Sequence, residues 1–359
     1  MVSFLKRIQG LLVPVISILI ALVIGAILIK LQGADPILAY QSLFKNGFLT
    51  GAGIRGTLEL AAPLIFTGLA VAFALRAGLF NIGAQGQVYA GGLMAAWFGF
   101  TFHLPSIIEI PAALLVAIFF GALSGAVAGA LKAYRGVHEV ISTIMLNSVI
   151  AAITTYLARG PWVNKSLQLI QTKVINKSAY LPKIDGVTIG IFIAIALAFF
   201  VNWLLRRTTT GFKLETLGQN RHAAWYSGIS VKSSTVLAMV VSGGIAGFGG
   251  GIVTLGVAHF FDPSFSPNLG FDGITIALLG RAAPLATIPG AILIGGIRYA
   301  SSAMQFDSGV NQDIVTLITA LILFFATVPF ITNIFKGRKK DKSAITKSEV
   351  AAQSSEVKA

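Results

Sequence analysis

Residues 271–300 read FDGITIALLGRAAPLATIPGAILIGGIRYA, and this stretch decides the topology of the chain. Its two apolar pieces are interrupted by GRAAP at 280–284 and again by Pro289 and Gly290. Read as one span, the stretch would place the C-terminal tail outside the cell, whereas two short spans or a re-entrant hairpin keep it inside. The tail, residues 336–359, is strongly cationic, and cations are enriched on the cytoplasmic side of membrane proteins. We therefore predict a short hairpin that turns on the cytoplasmic side.

The composition is that of an integral membrane protein. Hydrophobic residues make up 55% of the 359 residues and charged residues only 11%, against about 25% in a typical soluble domain. The formal net charge of +14 is interpreted as the positive-inside bias and not as a nucleic-acid surface. Because the chain has no cysteine and only four histidines, we expect no disulfide, no thiol nucleophile and no metal centre.

The apolar runs predict an all-α, polytopic membrane protein with about ten spans, including the short or re-entrant pair. The first run is too long for a signal peptide, and we expect both termini in the cytoplasm. One transmembrane domain would cover residues 1–335, followed by the tail, which is predicted to be disordered. Spans outside the pair are predicted over residues 11–29, 58–75, 88–102, 107–131, 140–157, 188–205, 235–256 and 314–334.

Glycines mark two of these spans as closely packed. Gly121, Gly125 and Gly129 recur every fourth residue in one span, so one face of that helix is smooth. Another span contains GGIAGFGGG at 243–251. Since small residues let helices approach closely in lipid, we predict tight helix contacts at both places.

A polar, cationic segment, residues 206–232, lies between two apolar blocks and carries its own folding signals. Asn220 is a good N-cap for a short helix, and Gly228 is a good left-handed stop after it. The segment therefore predicts a short capped helix over 220–228.

The residues inside this helix suggest a docking surface. The paired Ala223 and Ala224 would leave one side nearly bare, so that another surface could approach closely. Trp225 and Tyr226 would supply aromatic anchors of the kind found at interface hot spots. We predict that a soluble partner docks here; the alternative is an ordinary solvated loop.

The sequence offers little chemistry of its own. It has no P-loop motif, no spacing of His, Ser and Asp that suggests a catalytic nucleophile, and no carboxylate pair for general acid–base catalysis. The ionisable residues in apolar regions fall near predicted span ends, where long side chains can reach the interface. They are Glu59, Arg76, Glu139, Arg281 and Arg298. We therefore expect no enzyme and no internal energy source, which disfavours an ion-coupled secondary transporter.

Four motifs resemble those of a known family. GLFNIGAQGQ at 78–87 is similar to the NIGxEGQ signature in the membrane subunits of ABC importers for simple sugars and nucleosides. The others are EVISTIMLN at 139–147, GQNRHAAWYSGI at 218–229 and ALLGRAAP at 277–284. They occur in family order, and the chain is similar above all to nucleoside-type permeases paired with a lipoprotein receptor. The long cationic tail departs from most relatives.

The resemblance implies a division of labour. An extracellular solute-binding lipoprotein captures the solute, two permease subunits form the path, and cytoplasmic ABC ATPases, which hold ATP and Mg²⁺, drive transport. This chain would bind no cofactor, would lie in lipid in the bacterial plasma membrane, and would pair with a related, different permease. The 220–228 helix would be the coupling helix. The residues implied in ATPase coupling are Gly218, Asn220, Ala223, Ala224, Tyr226, Gly228 and Ile229.

The same resemblance implies a translocation path near the first motif. A broken helix would begin there and line the path, because polar backbone at membrane depth is tolerated beside a cavity. The alternative is a glycine-rich turn shaped only for packing. The candidate path residues are Asn81, Gly83, Gln85, Gly86, Gln87 and Asn147. Many relatives have glutamate at the position of Gln85. The solute stays open between nucleosides and simple sugars of the ribose or galactose type.

Overall fold

The structure, a computed structural model, describes residues 2–165, 171–264 and 268–327, and only the backbone of residues 2–14 and 326–327. The predicted tail and residues 328–334 of the last predicted span lie outside the described residues. The helices are α1 Val2–Leu31, α2 Pro36–Phe44, α3 Gly51–Arg76, α4 Ala84–Thr101, α5 Ser106–Arg135, α6 Glu139–Arg159, α7 Gly190–Arg207, α8 Thr209–Gln219, α9 Arg221–Tyr226, α10 Val231–Val253, α11 Leu269–Leu279, α12 Thr287–Ser308 and α13 Asp313–Thr327. A small antiparallel hairpin joins β1, Lys183–Ile184, to β2, Val187–Thr188.

The prediction of an all-α membrane protein is confirmed, but the count of about ten spans stays a prediction. Five helices in the described ranges are long and apolar enough to cross a membrane: α3, α5, α6, α7 and α10 with its π-helical extension Thr254–Ala258. The pair α11 and α12 makes a sixth if it is one broken span. The described apolar part of α1 and helix α13 are shorter.

Helix α3 is the centre of the bundle. Residues 61–74 are buried on every side of the helix, which is the pattern of a helix enclosed by other helices rather than by lipid. Helices α10, α11 and α12 pack around it. The helix begins at Gly51, several residues before the predicted span, because Thr50 accepts a hydrogen bond from the Gly53 amide and caps the extra turns.

The glycine prediction is confirmed, since the two glycine-rich spans are each other's partners. A Cβ built on Gly247 would lie 2.8 Å from the Cα of Gly121, and one on Gly243 would lie 3.1 Å from the Cα of Gly125. These helices, α5 and α10, therefore meet backbone to backbone, as small residues permit.

The stretch 271–300 forms a sharply bent pair. The helix axis bends by 119° between α11 and the piece formed by the short turn Pro284–Ala286 and α12. The predicted interruption at Pro289 and Gly290 is wrong, because both lie inside α12. Proline is tolerated in the first turn of a helix, where its missing N–H has no helical partner to lose.

Ion pairs fix the opposite ends of the bundle. Lys183 of β1 forms an ion pair with Glu59 of α3 at 2.7 Å, and Arg55 of α3 forms one with Asp185 at 3.2 Å. At the other end, the last residue of α3 lies beside α8 and the turn between α11 and α12. We call the first the hairpin end and the second the α9 end, because the short helix α9 follows α8 there.

Candidate functional site

The predicted short helix is present as α9. The side chain of Asn220 accepts hydrogen bonds from the amides of His222, at 2.9 Å, and Ala223, at 3.1 Å. Gly228 has a φ of +74°, and the Ile229 amide closes the helix on the Ala224 carbonyl at 3.0 Å. Both predicted capping residues therefore act as expected, and they hold a helix that is too short to persist alone.

The prediction of one bare alanine face is wrong. Ala224 is 0% exposed and packs with Leu217 of α8 and with Ile229, while Ala223 is exposed. Two successive helical residues are about 100° apart, so that burying one methyl group turns the other outward. All other residues of α9 are exposed, and its outward surface includes Ala223 with Trp225 and Tyr226, which are 64% and 81% exposed.

Sequence reasoning missed helix α8, which fills the first half of the 206–232 segment. The sequence does contain a signal for the start of α8, because threonine is a preferred N-cap residue. Thr208 takes this role and accepts a hydrogen bond from the Gly211 amide at 3.1 Å. Gly211 lies against the carbonyls of Leu204 and Leu205 in α7. The segment is therefore a pair of helices folded onto the end of the bundle, not an open loop.

Helix α8 is fixed to the end of α3 by two contacts. Gly218 lies directly against Gly78 and the carbonyl of Arg76. The guanidinium of Arg76 forms an ion pair with Glu215 at 3.2 Å and donates a second hydrogen bond to the Ala282 carbonyl at 2.7 Å. Glu215 was not a predicted site residue, since nothing in its local sequence points to a partner 139 positions away.

The first family motif forms a buried polar network where α4 begins. The Asn81 side chain is fully buried and donates to Gln87 Oε1 and to Ser242 Oγ, both at 2.8 Å. Ser242 in turn donates to the Ala70 carbonyl in α3 at 2.6 Å, and the Gly83 amide donates to Asn81 Oδ1 at 3.0 Å. Satisfied buried networks of this kind fix one conformation. The network therefore holds the start of α4 against α3 and α10.

Asn147 clamps the same segment from α6. Its Oδ1 accepts from the Gly86 amide at 2.8 Å, and its Nδ2 donates to the Ile82 carbonyl at 2.9 Å. The first amides of a helix lack helical partners, and Gly83, which precedes α4, gives no side-chain cap. Asn147 thus supplies from another helix the cap that α4 does not have locally.

Gln85 joins the motif to α11. Its side chain is buried, and its Oε1 accepts from the Gly270 amide at 2.7 Å. Gly270 lies directly against the backbone of Ala84 and Gln85. The structure brings all six candidate path residues together at the start of α4; their contact with a solute stays a prediction.

The buried charges differ from the sequence-based expectation. The Arg298 side chain does not extend to the membrane–water interface. It forms an ion pair with Asp272 of α11, which is only 4% exposed. Two carboxylates in the interior were missed, Asp272 and the fully buried Glu109. Within the described ranges, no three His, Cys, Asp or Glu residues lie close enough to hold a metal ion.

Known proteins similar to this chain agree with the motif resemblance. The chain is 34% identical to the guanosine ABC transporter permease protein NupP of Bacillus subtilis (strain 168), over 94% of this chain and 99% of that protein. It is also 34% identical to the nucleoside ABC transporter permease protein NupB of Lactococcus lactis subsp. cremoris (strain MG1363), over 98% and 99%. With the glucose ABC transporter permease protein TsgB13 of Haloferax volcanii it shares 30% identity, over 87% and 86%.

Residues 53–328 match the family described as branched-chain amino acid transport system / permease component. This match includes all four motifs, nearly all of α3 and every helix from α4 to α13, and the relatives NupP and NupB cover nearly the whole chain. The chain therefore belongs to this family and is a permease subunit of an ABC transporter.

Proposed function

We propose that this chain is the permease subunit of an ATP-driven importer and forms part of the path for nucleosides. The observation that carries the proposal is the similarity to NupP and NupB, which extends over at least 94% of this chain. Both are named for guanosine or nucleoside transport. A glucose permease is the second candidate, because the similarity to TsgB13 is only slightly lower.

Energy for transport would come from a separate ABC ATPase that binds ATP and Mg²⁺. Helix α9 is the proposed docking element, since its aromatic residues Trp225 and Tyr226 are exposed while its caps and Ala224 hold it rigidly. Aromatic side chains that protrude from a rigid element supply much of the binding energy at interfaces. The remaining partners would be a related, different permease and an extracellular solute-binding lipoprotein.

In this arrangement the α9 end faces the cytoplasm and the hairpin end faces outward, with both termini in the cytoplasm of a bacterial cell. The cationic tail at 336–359 supports that orientation, whereas the 206–232 segment and the opposite segment 159–186 carry five cations each. The segment around Asn81, Gln87 and Asn147 would form the wall of the path. Broken helix starts at membrane depth are typical of substrate paths in transporters.

Uptake in whole cells tests the proposal. The gene for this chain is expressed together with its neighbouring genes in a strain without nucleoside uptake. Import of radiolabelled guanosine and of radiolabelled glucose is then measured. We expect guanosine uptake that other nucleosides inhibit and glucose does not. Glucose uptake without guanosine uptake would support the second candidate. Mass spectrometry of proteins that co-purify with the chain identifies the ATPase, the second permease and the lipoprotein.

A further inference from the structure

Arg76 connects three segments that are distant in sequence. Its Nη1 lies 3.2 Å from Glu215 Oε1 in α8, and its Nε donates to the Ala282 carbonyl at 2.7 Å. Arg76 itself is the last residue of α3. One guanidinium therefore joins the helix pair that carries α9, the central helix, and the turn between α11 and α12.

That turn has a strained backbone. Arg281 and Ala282 have φ values of +50° and +55°, and non-glycine residues rarely adopt this left-handed conformation. Such conformations persist only where the surroundings impose them. The turn is held here by the hydrogen bond from Arg76 Nε to the Ala282 carbonyl and by that from the Ala282 amide to the Ala277 carbonyl at 2.7 Å.

Helix α11 continues from this turn to the start of α4. It packs closely against α3, with Gly273 lying against Thr67. At its far end, the Gly270 amide donates to Gln85 Oε1. A continuous series of contacts thus runs from α9 through Arg76 and α11 to the first family motif.

We propose that Arg76 is a positioning residue that transmits displacement of the α8–α9 pair to α11 and the α4 start. This inference rests on the proposed function, in which α9 docks on an ATPase. Contiguous hydrogen bonds and packed side chains carry coupling between distant sites. Arginine suits the position because its planar fork can hold Glu215 and the Ala282 carbonyl at once, which a single lysine ammonium does less well.

The test uses Arg76→Lys in the complete transporter, reconstituted with its ATPase, second permease and receptor. Three quantities are measured: the amount of ATPase that co-purifies, the rate of ATP hydrolysis, and solute uptake into vesicles. We expect assembly to be unchanged, hydrolysis to keep at least half of its rate, and uptake to fall about tenfold. Arg55→Lys is the matched control, because Arg55 also pairs with an acidic residue, Asp185, but at the hairpin end.

A charge exchange separates transmission from a simple ion pair. Arg76→Glu combined with Glu215→Arg restores opposite charges, but a glutamate carboxylate cannot donate to the Ala282 carbonyl. We expect hydrolysis to recover relative to Arg76→Glu alone while uptake stays low. Recovery of uptake would overturn the inference, since the ion pair alone would then suffice.

The inference also fails if Arg76→Lys transports like the wild type, or if uptake and hydrolysis fall in the same proportion. Where Arg76→Lys does not reach the membrane, Glu215→Gln, which keeps the shape of the α8 side chain but removes its charge, is measured against the same expectation. The solute that the wild-type transporter imports tests the proposed function separately. If the wild type imports glucose and not nucleosides, the nucleoside proposal fails, and the variants are compared by glucose uptake instead.

Discussion

Gly78 and Gly218 touch backbone to backbone at the α9 end. A Cβ built on Gly78 would lie 2.9 Å from the Cα of Gly218, and one built on Gly218 would lie 2.8 Å from the amide nitrogen of Gly78. Gly78 also has a φ of +71°, which glycine adopts without strain. The contact between the end of α3 and the end of α8 thus depends on two residues without side chains.

Gly218→Ala should break this contact. The added methyl group would meet the Arg76 carbonyl, and overpacking costs about 1–3 kcal/mol. We expect the variant to insert in the membrane but to lose ATPase co-purification and solute uptake. Gly51→Ala is the control, because a Cβ there meets nothing within 4 Å. Equal losses in both variants would contradict the role of the close contact.

Tyr226→Ala should weaken ATPase binding without affecting the membrane fold. Tyr226 is 81% exposed, and loss of an aromatic hot-spot residue costs about 2 kcal/mol or more of binding free energy. The dissociation constant of the purified ATPase for the detergent-solubilised permease measures the effect. Phe306→Ala, which removes a 91% exposed ring from α12, should leave it unchanged. A dissociation constant that does not move with Tyr226→Ala would show that α9 is not the docking element.

Asn147→Ala should destabilise the start of α4. The change leaves the Gly86 amide and the Ile82 carbonyl without their partner, and each buried unsatisfied group costs about 1–3 kcal/mol. We expect a lower melting temperature in detergent and reduced uptake. Ser148→Ala removes an exposed hydroxyl from the same helix and should change neither. An unaltered melting temperature for Asn147→Ala would mean that α4 does not need this cap.

Cysteine labelling should place the α11–α12 turn on the cytoplasmic side. The chain has no native cysteine, so a single one can be introduced at Ala283, whose backbone is unstrained. We expect a membrane-impermeant maleimide to label Ala283→Cys only in opened cells. Lys177→Cys, which replaces an exposed residue before the β-hairpin, should be labelled in intact cells. The reverse pattern would invert the proposed orientation.

His259 should make stability depend on pH. Its ring stacks on Tyr180 with centroids 3.7 Å apart, and burial lowers the pKa of His259 below its usual value of 6.5, an effect that nearby Lys183 strengthens and Glu59 opposes. As the pH falls through 6.5, the unfolded chain therefore takes up the proton first. The free energy of unfolding therefore keeps its full value above that pH and decreases below it.

Melting temperatures measured in detergent between about pH 5 and 8 check this sign. His259→Phe keeps a stacked ring but cannot be protonated, so its melting temperature should decrease less in acid. Identical acid profiles for the two proteins would assign the pH dependence to other groups.

The features that sequence reasoning found are those encoded by adjacent residues. The caps of α9 depend on the types of Asn220 and Gly228 alone, and the break before α12 depends on Gly280 and Pro284. The four-residue spacing of glycines in α5 likewise implied a close helix partner without naming it. Local chemistry was sufficient in each case.

The features that sequence reasoning missed depend on contacts between distant residues. Whether Ala223 or Ala224 points outward is decided by Leu217 of the preceding helix, which no helical period in a six-residue element reveals. Arg298 was expected at an interface because its partner, Asp272, stands 26 positions earlier, beyond the turn that brings the two helices together. The candidate path residues were grouped by motif, but one structural reason for their grouping, the cap that Asn147 supplies to α4, required the fold.

The contact between α5 and α10 has a mechanical consequence. Because Gly121 and Gly125 lie against Gly243 and Gly247 with no side chains between them, relative sliding of the two helices would bring carbonyl oxygens and Cα atoms into collision. We therefore expect α5 and α10 to move together as one rigid unit. Helix α10 starts at Val231, five residues after the end of α9, so in the proposed arrangement a displacement of α9 would reach both helices and not α10 alone.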